Sequence, residues 1–264
     1  MEHFAAVRER LESNGLFCQW LPLHQLDIET LRSIVKSFLA VYPHGSALLA
    51  SNSLDTPVLG LIGRNDAGRF DVAALRERLT NVLLPPSLTR IGIEDEFALL
   101  GSFVAGPQAL QRFAGNAAAN TDDHPVVAYR APRITYSPDS QPRDRLIELL
   151  HEFSITPDEL VGPTEKGWPQ RLAAYWTARD RFIESGRDVR ASANVHEMLA
   201  QVREPLLSVL HISPDFRPAY DPLLLMANML APTDAQALLT ELAQTQPARP
   251  EAKLALSEIN SLSR

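Results

Sequence analysis

Only one cysteine, Cys18, stands in the 264 residues. This excludes an internal disulfide and any zinc site built on cysteines, and it fits a reducing compartment. No run approaches the roughly 18 apolar residues that a membrane-spanning helix needs. Residues 1–12 show the charged, amphipathic pattern of a helix without the apolar core of a signal peptide. The chain as written is therefore expected to be cytoplasmic. Basic charge is also short: 25 Lys and Arg against 32 Asp and Glu leave a formal net charge of -7, which offers no positive field to a nucleic-acid backbone. Glycine is sparse, and the closest pair, in Gly60-Leu61-Ile62-Gly63, lacks the G-x-G-x-x-G spacing that seats a pyrophosphate on a helix N-terminus. It reads as the end of a strand. The motifs G-x-S-x-G, H-E-x-x-H and C-x-x-C are absent too, and with them the commonest hydrolase and metal signatures. What is present is enough apolar residue, 45% of the chain, to build one large or two modest domains, and two are expected.

The apolar pattern marks out the elements. Phe4, Val7 and Leu11 fall at helical spacing, and Ser13-Asn14-Gly15 stops that helix. Residues 16–21 form a short apolar run of the kind buried in a parallel sheet, and residues 26–41 repeat their apolar positions as a helix. Residues 46–50 and 57–62 read as two strands of an antiparallel closing hairpin. Helices are expected over 72–83, ending at Pro85-Pro86, and over 94–103 and 107–113, while 126–129 reads as a short apolar strand. The expected fold class is thus α/β over residues 1–136, followed by a Pro-containing linker at 137–143 and an all-α tail over 144–264. Tail helices are expected over 146–153, 172–183, 195–210, 218–230, 234–243 and 250–262. Residues 214–220 and 246–252 repeat at about the 34-residue period of tetratricopeptide helix pairs. A small helical bundle accounts for the same pattern.

Candidate chemistry is sparse. Asp122-Asp123-His124 offers metal-ligand types, but adjacent residues rarely bind one ion together and a turn explains them more simply: Asn120 and Asp122 can accept from backbone N–H groups one or two residues on, and Pro125 fixes the exit. Glu94-Asp95-Glu96 suits the acidic first turn of a helix. Gln19 and Trp20 stand at the carboxyl end of the first expected strand, where ligands approach open α/β sheets. The competing reading puts Trp20 in the core with its indole N–H satisfied. Trp168, Tyr175, Trp176 and Phe182 have the spacing of a helical packing face.

Gly15-Leu16-Phe17-Cys18-Gln19-Trp20-Leu21-Pro22-Leu23 and Asn120-Thr121-Asp122-Asp123-His124-Pro125 carry a family resemblance. Together they resemble the end of the catalytic domain of the spermidine synthase (polyamine aminopropyltransferase) family, most of all the branch fused behind membrane-spanning segments. The resemblance runs from Phe4 to Pro132, about half of the chain. It implies the C-terminal portion of a Rossmann-like, methyltransferase-type domain. In the family, an aminopropyl group passes from decarboxylated S-adenosylmethionine to an amine. The nucleotide loop, the acidic residue on the ribose and the catalytic aspartate all precede the matching segment, so the resemblance supplies no catalytic, cofactor or metal residue here. It leaves Gln19 and Trp20 as substrate-binding candidates. Gln19 stands one place earlier than the family's pocket glutamine relative to the Gly turn, which reverses its face on a strand. Leu54 and Asp55 stand where the family has an aromatic residue before the hairpin proline.

The chain is accordingly expected to be a spermidine synthase-like piece with Met1 an internal methionine, inactive by itself. As part of a longer chain it would lie at the cytoplasmic face of the inner membrane. The sheet remnant is expected to leave an unpaired edge and an uncovered apolar face, open to a second copy or another protein. The alternatives are a protein-interaction module that uses the helical tail, and an enzyme with a rearranged site around Gln19, Trp20 and His24.

Overall fold

The computed structural model describes residues 1–51, 53–66, 68–81, 88, 92–137 and 141–262, in two compact units, Met1–Pro169 and Gln170–Arg264. In the first unit α1 (Glu2–Arg8) leads into β1 (Leu16–Pro22), α2 (Ile28–Val41) and the hairpin of β2 (Ser46–Ser51) and β3 (Val58–Arg64). There follow α3 (Val72–Asn81), α4 (Glu96–Leu100), β4 (Phe103–Ala105), α5 (Pro107–Ala114), α6 (Val126–Thr135), α7 (Pro142–Glu152) and α8 (Pro157–Leu160). The four strands form one sheet in the order β1-β3-β2-β4, and every pairing is antiparallel. The chain is thus mixed α/β.

The register sorts the strands into two faces, because residues directly opposite in an antiparallel ladder share one. Gln19 lies opposite Leu61, which lies opposite Ala47; Leu21 lies opposite Leu59, which lies opposite Leu49. Leu21, Leu59, Leu61, Ala47 and Leu49 are all buried. Against this face stands α2, with Leu31, Val35 and Phe38 fully buried. Asp27 starts α2 by accepting a hydrogen bond from the Thr30 N–H at 2.7 Å. Aromatic contacts lock the layers: Phe17 of β1 stacks on Tyr42 at 5.8 Å, and Phe4 of α1 meets Phe38 edge-on at 5.5 Å. The Tyr42 ring lies 2.8 Å from where a Cβ on Gly63 would stand, so only glycine fits at that point of β3. From its other side α2 holds the following chain. Arg32 donates to the Phe113 carbonyl, Ser33 to that of Ala118 and Lys36 to that of Gly115.

Several expectations are corrected. Residues 16–22 are not a buried parallel strand: β1 runs antiparallel to β3 at the edge of the sheet, with Leu16 and Trp20 60% and 55% exposed. An unbroken apolar run serves a doubly covered strand and an edge strand equally, so composition does not distinguish them. Residues 126–129 begin helix α6 rather than a strand. Val126, Val127, Ala131 and Ile134 are its half-buried positions, and it packs on α2, an arrangement that four β-branched and small residues do not reveal by themselves. The helix expected over 94–103 stops at Leu100, and Phe103–Ala105 joins β2 as β4, too short to show an alternating pattern. Residues 82–83, expected to continue α3, lie outside the described residues. Of the expected linker at 137–143, residues 138–140 lie outside the described residues and Pro142 already opens α7, while the two compact units divide after Pro169.

In the second unit α9 (Trp168–Gly186), which enters from the last residues of the first, precedes α10 (Val195–Ile212), α11 (Arg217–Ala227), α12 (Pro232–Thr245) and α13 (Glu251–Leu262). From α10 to α13 neighbouring helices pack in sequence order, and α10 also meets α12. The bonds between the two hairpins recur at similar separations. Gln246 donates to the Leu210 carbonyl at 3.0 Å, 36 residues back. Arg249 donates to that of Pro214 at 3.0 Å, 35 residues back, and its guanidinium stands 5.2 Å over the Tyr220 ring. The Ala252 N–H donates to the buried Tyr220 hydroxyl at 3.1 Å, 32 residues back. Tyr220→Phe removes that acceptor and leaves a buried N–H without it. A loss of about 1–3 kcal/mol is expected, measured as a lower urea midpoint in far-UV circular dichroism; an unchanged midpoint would show that the bond contributes nothing net.

Candidate functional site

The two segments singled out by sequence meet in the first unit. A cleft of about 350 Å³ runs beside β1, lined by Gln19, Trp20, Leu21 and Pro22 of the strand and by Asn120 and Val127 from the other end of the unit. Met1, His3 and Phe4 at the start of the chain, Gln25 and Leu26, Ile34 and Ser37 of α2 and Ala131 of α6 complete its walls.

Asn120 fixes the far wall. Its backbone N–H donates to Ser37 Oγ at 2.6 Å, its carbonyl lies 3.0 Å from the same hydroxyl, and its side-chain Oδ1 accepts from the Val127 N–H at 3.0 Å. One residue thereby ties the incoming loop to α2 and the first turn of α6. Thr121 and His124 close the turn between them by reciprocal backbone bonds at 3.2 Å, and Thr121 Oγ1 also accepts from the His124 N–H at 3.0 Å. The expected turn chemistry is present, but Thr121 performs it in place of Asp122. Asp122, Asp123 and His124 are exposed, and among the described residues no group of three or more His, Cys, Asp or Glu is placed to hold a metal ion.

The near wall differs from expectation. Trp20 is not a core residue; its side chain lies more than half exposed beside Cys18 and over Gly60, on the sheet face opposite the helices. Gln19 points to the helix side, and its amide donates to the Trp20 carbonyl at 3.0 Å. His24 does not line the cleft, so the rearranged trio of Gln19, Trp20 and His24 is not assembled there. Partial burial pushes the Cys18 thiol up from its ordinary range.

The polar atoms of the cleft are largely used within the protein, since Ser37 and Asn120 satisfy each other. Met1, His3, Gln19 and Gln25 add polar groups to walls that are otherwise apolar, and no Asp or Glu is among its lining residues. A di- or polycationic amine needs carboxylates or aromatic faces around its ammonium groups, and the cleft alone supplies at most Trp20 and Phe4.

Sequence reasoning missed Asp27 and Arg130, which fasten α6 over the cleft through an ion pair at 2.7 Å. Asp27 could have been found as a helix cap before an apolar-periodic run; its partner, 103 residues away, could not. Burial alone would raise the Asp27 carboxyl, but the Thr30 and Arg130 hydrogen bonds outweigh it and hold it below the ordinary carboxylate range. A depressed folded value means stability present above the unfolded Asp value near about 3.9 and lost as pH falls through the lower folded value. Asp27→Asn keeps a capping oxygen and loses the ion pair. It should cost about 0.5–1 kcal/mol at neutral pH, with the difference from the parent narrowing below about pH 4. Thermal unfolding of both proteins at pH 7 and pH 3 checks this, and an equal margin at both would detach the effect from the carboxylate.

No family model matches the chain, and neither do any curated protein or solved structure.

Proposed function

We propose that this chain is the C-terminal part of a spermidine synthase-like protein and does not transfer an aminopropyl group by itself. The observation that carries the reading is that Gln19, Trp20, Leu21 and Pro22 of the first resembling segment and Asn120, which opens the second, line one cleft beside β1. Two stretches about a hundred residues apart in sequence share a wall, as parts of one inherited site would. The antiparallel hairpin of β2 and β3, set directly against β1, supports a methyltransferase-type sheet that ends in a closing hairpin. Gln19 and Trp20 are then remnants of the substrate wall. The charge that would hold an amine, the nucleotide site and the catalytic aspartate belong to the part of the family domain that precedes this segment. The working location is cytoplasmic, at the inner face of the membrane when joined to membrane-spanning segments; among the described residues no helix is long and apolar enough to cross a membrane.

Titration of the purified chain with decarboxylated S-adenosylmethionine and with methylthioadenosine in a calorimeter should give no saturable heat, and incubation with putrescine should give no spermidine above background. Saturable binding with near-unit stoichiometry, or turnover, would overturn the inactive reading and restore a rearranged enzyme.

A second reading, an interaction module in the helical unit, is favoured by the bonds that join its hairpins at separations of 32, 35 and 36 residues. Such spacing suits a tetratricopeptide-like stack. Cross-linking of the full chain in its source cells, followed by mass spectrometry, should then place a partner on residues 195–262; no partner there would remove this reading.

A further inference from the structure

We propose that β1 pairs edge to edge with β1 of a second copy of this chain, antiparallel about a twofold axis at Cys18. This goes beyond the ancestry argued above and does not depend on it.

The direction of the backbone groups carries the first step. The Leu23 N–H donates to the Pro57 carbonyl at 2.9 Å, continuing the register in which Leu21 opposes Leu59 and Gln19 opposes Leu61. Backbone groups alternate sides along a strand, so Phe17, Gln19 and Leu21 bond to β3, while Leu16, Cys18 and Trp20 direct their N–H and C=O groups away from it. The rest of the sheet keeps the same alternation, since Leu49 on β2 donates outward to Ser102 on the β4 side at 2.8 Å. Among the described residues no strand pairs with β1 on its outer side.

The side chains define the occupant. Exposed edges are ordinarily blunted by charge, but residues 16–23 contain none, and Pro22 alone ends the available ladder. Above the edge Leu16 and Trp20 are the exposed apolar residues; beneath it the cleft offers Phe4, Leu21, Ile34 and Val127. An added strand must therefore be apolar on its upper face, and β1, which carries no charge and presents Leu16 and Trp20 there, is itself such a strand. Pairing about Cys18 sets Trp20 of each copy against Leu16 of the other, so the two exposed apolar side chains of the strand cover one another. The same register brings each Leu16 N–H to the partner's Trp20 carbonyl, which in the single chain is occupied by the Gln19 amide. That flexible side chain yields its place to a backbone donor. The two Cys18 Cα atoms would then lie about 5.5 Å apart.

Sedimentation and light scattering on the purified chain should give a dimer, twice 29.2 kDa. Cys18→Pro removes one outward N–H and leaves the β3 ladder intact, and Trp20→Lys places a charge on an already exposed position; each should shift the protein to monomer with an unchanged circular dichroism spectrum. A short bis-maleimide should join the unmodified chain through its single cysteine into a covalent dimer. The cross-link reads the contact without any substitution, so a misfolded variant does not rescue the proposal. A monomer at all concentrations, an open polymer, a dimer that survives both substitutions or a dimer without the Cys18 cross-link would overturn it. So would a monomer that accepts only a strand of another protein. Nucleotide titration is unaffected by any of these outcomes, so this proposal and the ancestral reading fail separately.

Discussion

Burial of α2 is the constraint on which the first unit depends. One side of the helix is packed by the sheet through Phe38 and the Tyr42 that follows it, and only a glycine at position 63 admits that ring. Along the remaining surface, short and long polar side chains reach backbone carbonyls of later segments: Arg32 to Phe113, Ser33 to Ala118, Lys36 to Gly115 and Ser37 to Asn120. Each of these bonds satisfies a carbonyl that a loop on a helix would otherwise leave unpaired. A single amphipathic helix therefore positions the sheet and also the irregular chain that reaches the cleft. Arg32 extends the same role to α7 through Glu152 at 2.6 Å.

The cleft follows from this arrangement rather than from any cluster of reactive groups. α6 crosses α2 at the level where the outer side of β1 is open, anchored by Asn120 at its start and by the Asp27–Arg130 pair further along. The space between is walled by side chains already committed to packing and by polar atoms already bonded to one another. Its character is that of an unfilled position in a layered sheet: mostly apolar and without a carboxylate, with backbone groups along one margin.

The helices were legible because their apolar spacing is local. α2, α5 and every helix of the second unit lie within a few residues of where the pattern places them, and the hairpin of β2 and β3 was equally clear. The status of β1 was not legible. Leu16–Leu21 has the composition of an interior strand, and only the three-dimensional pairing shows that one side is open. Val126–Tyr129 failed for a related reason, since its β-branched residues favour a strand locally while their packing on α2 selects a helix. At the site, Gln19, Trp20 and Asn120 were visible as motif members. Asp27 and Arg130 act through a contact between distant segments and leave no mark on either segment alone.

The two units also differ in how far apart in sequence their contacts lie, which gives them different folding kinetics. In the second unit each helix rests on the one before it or on its counterpart one hairpin earlier, so structure can accrete as the chain is made. In the first unit β1 has no ladder until β3 has been synthesised, because Leu16 must find Arg64 and Pro22 must find Val58. During that interval a strand without a single charged residue has both margins open. The slow step of folding and the period of greatest exposure to misassembly therefore coincide at the N-terminal strand, well before the helical unit emerges.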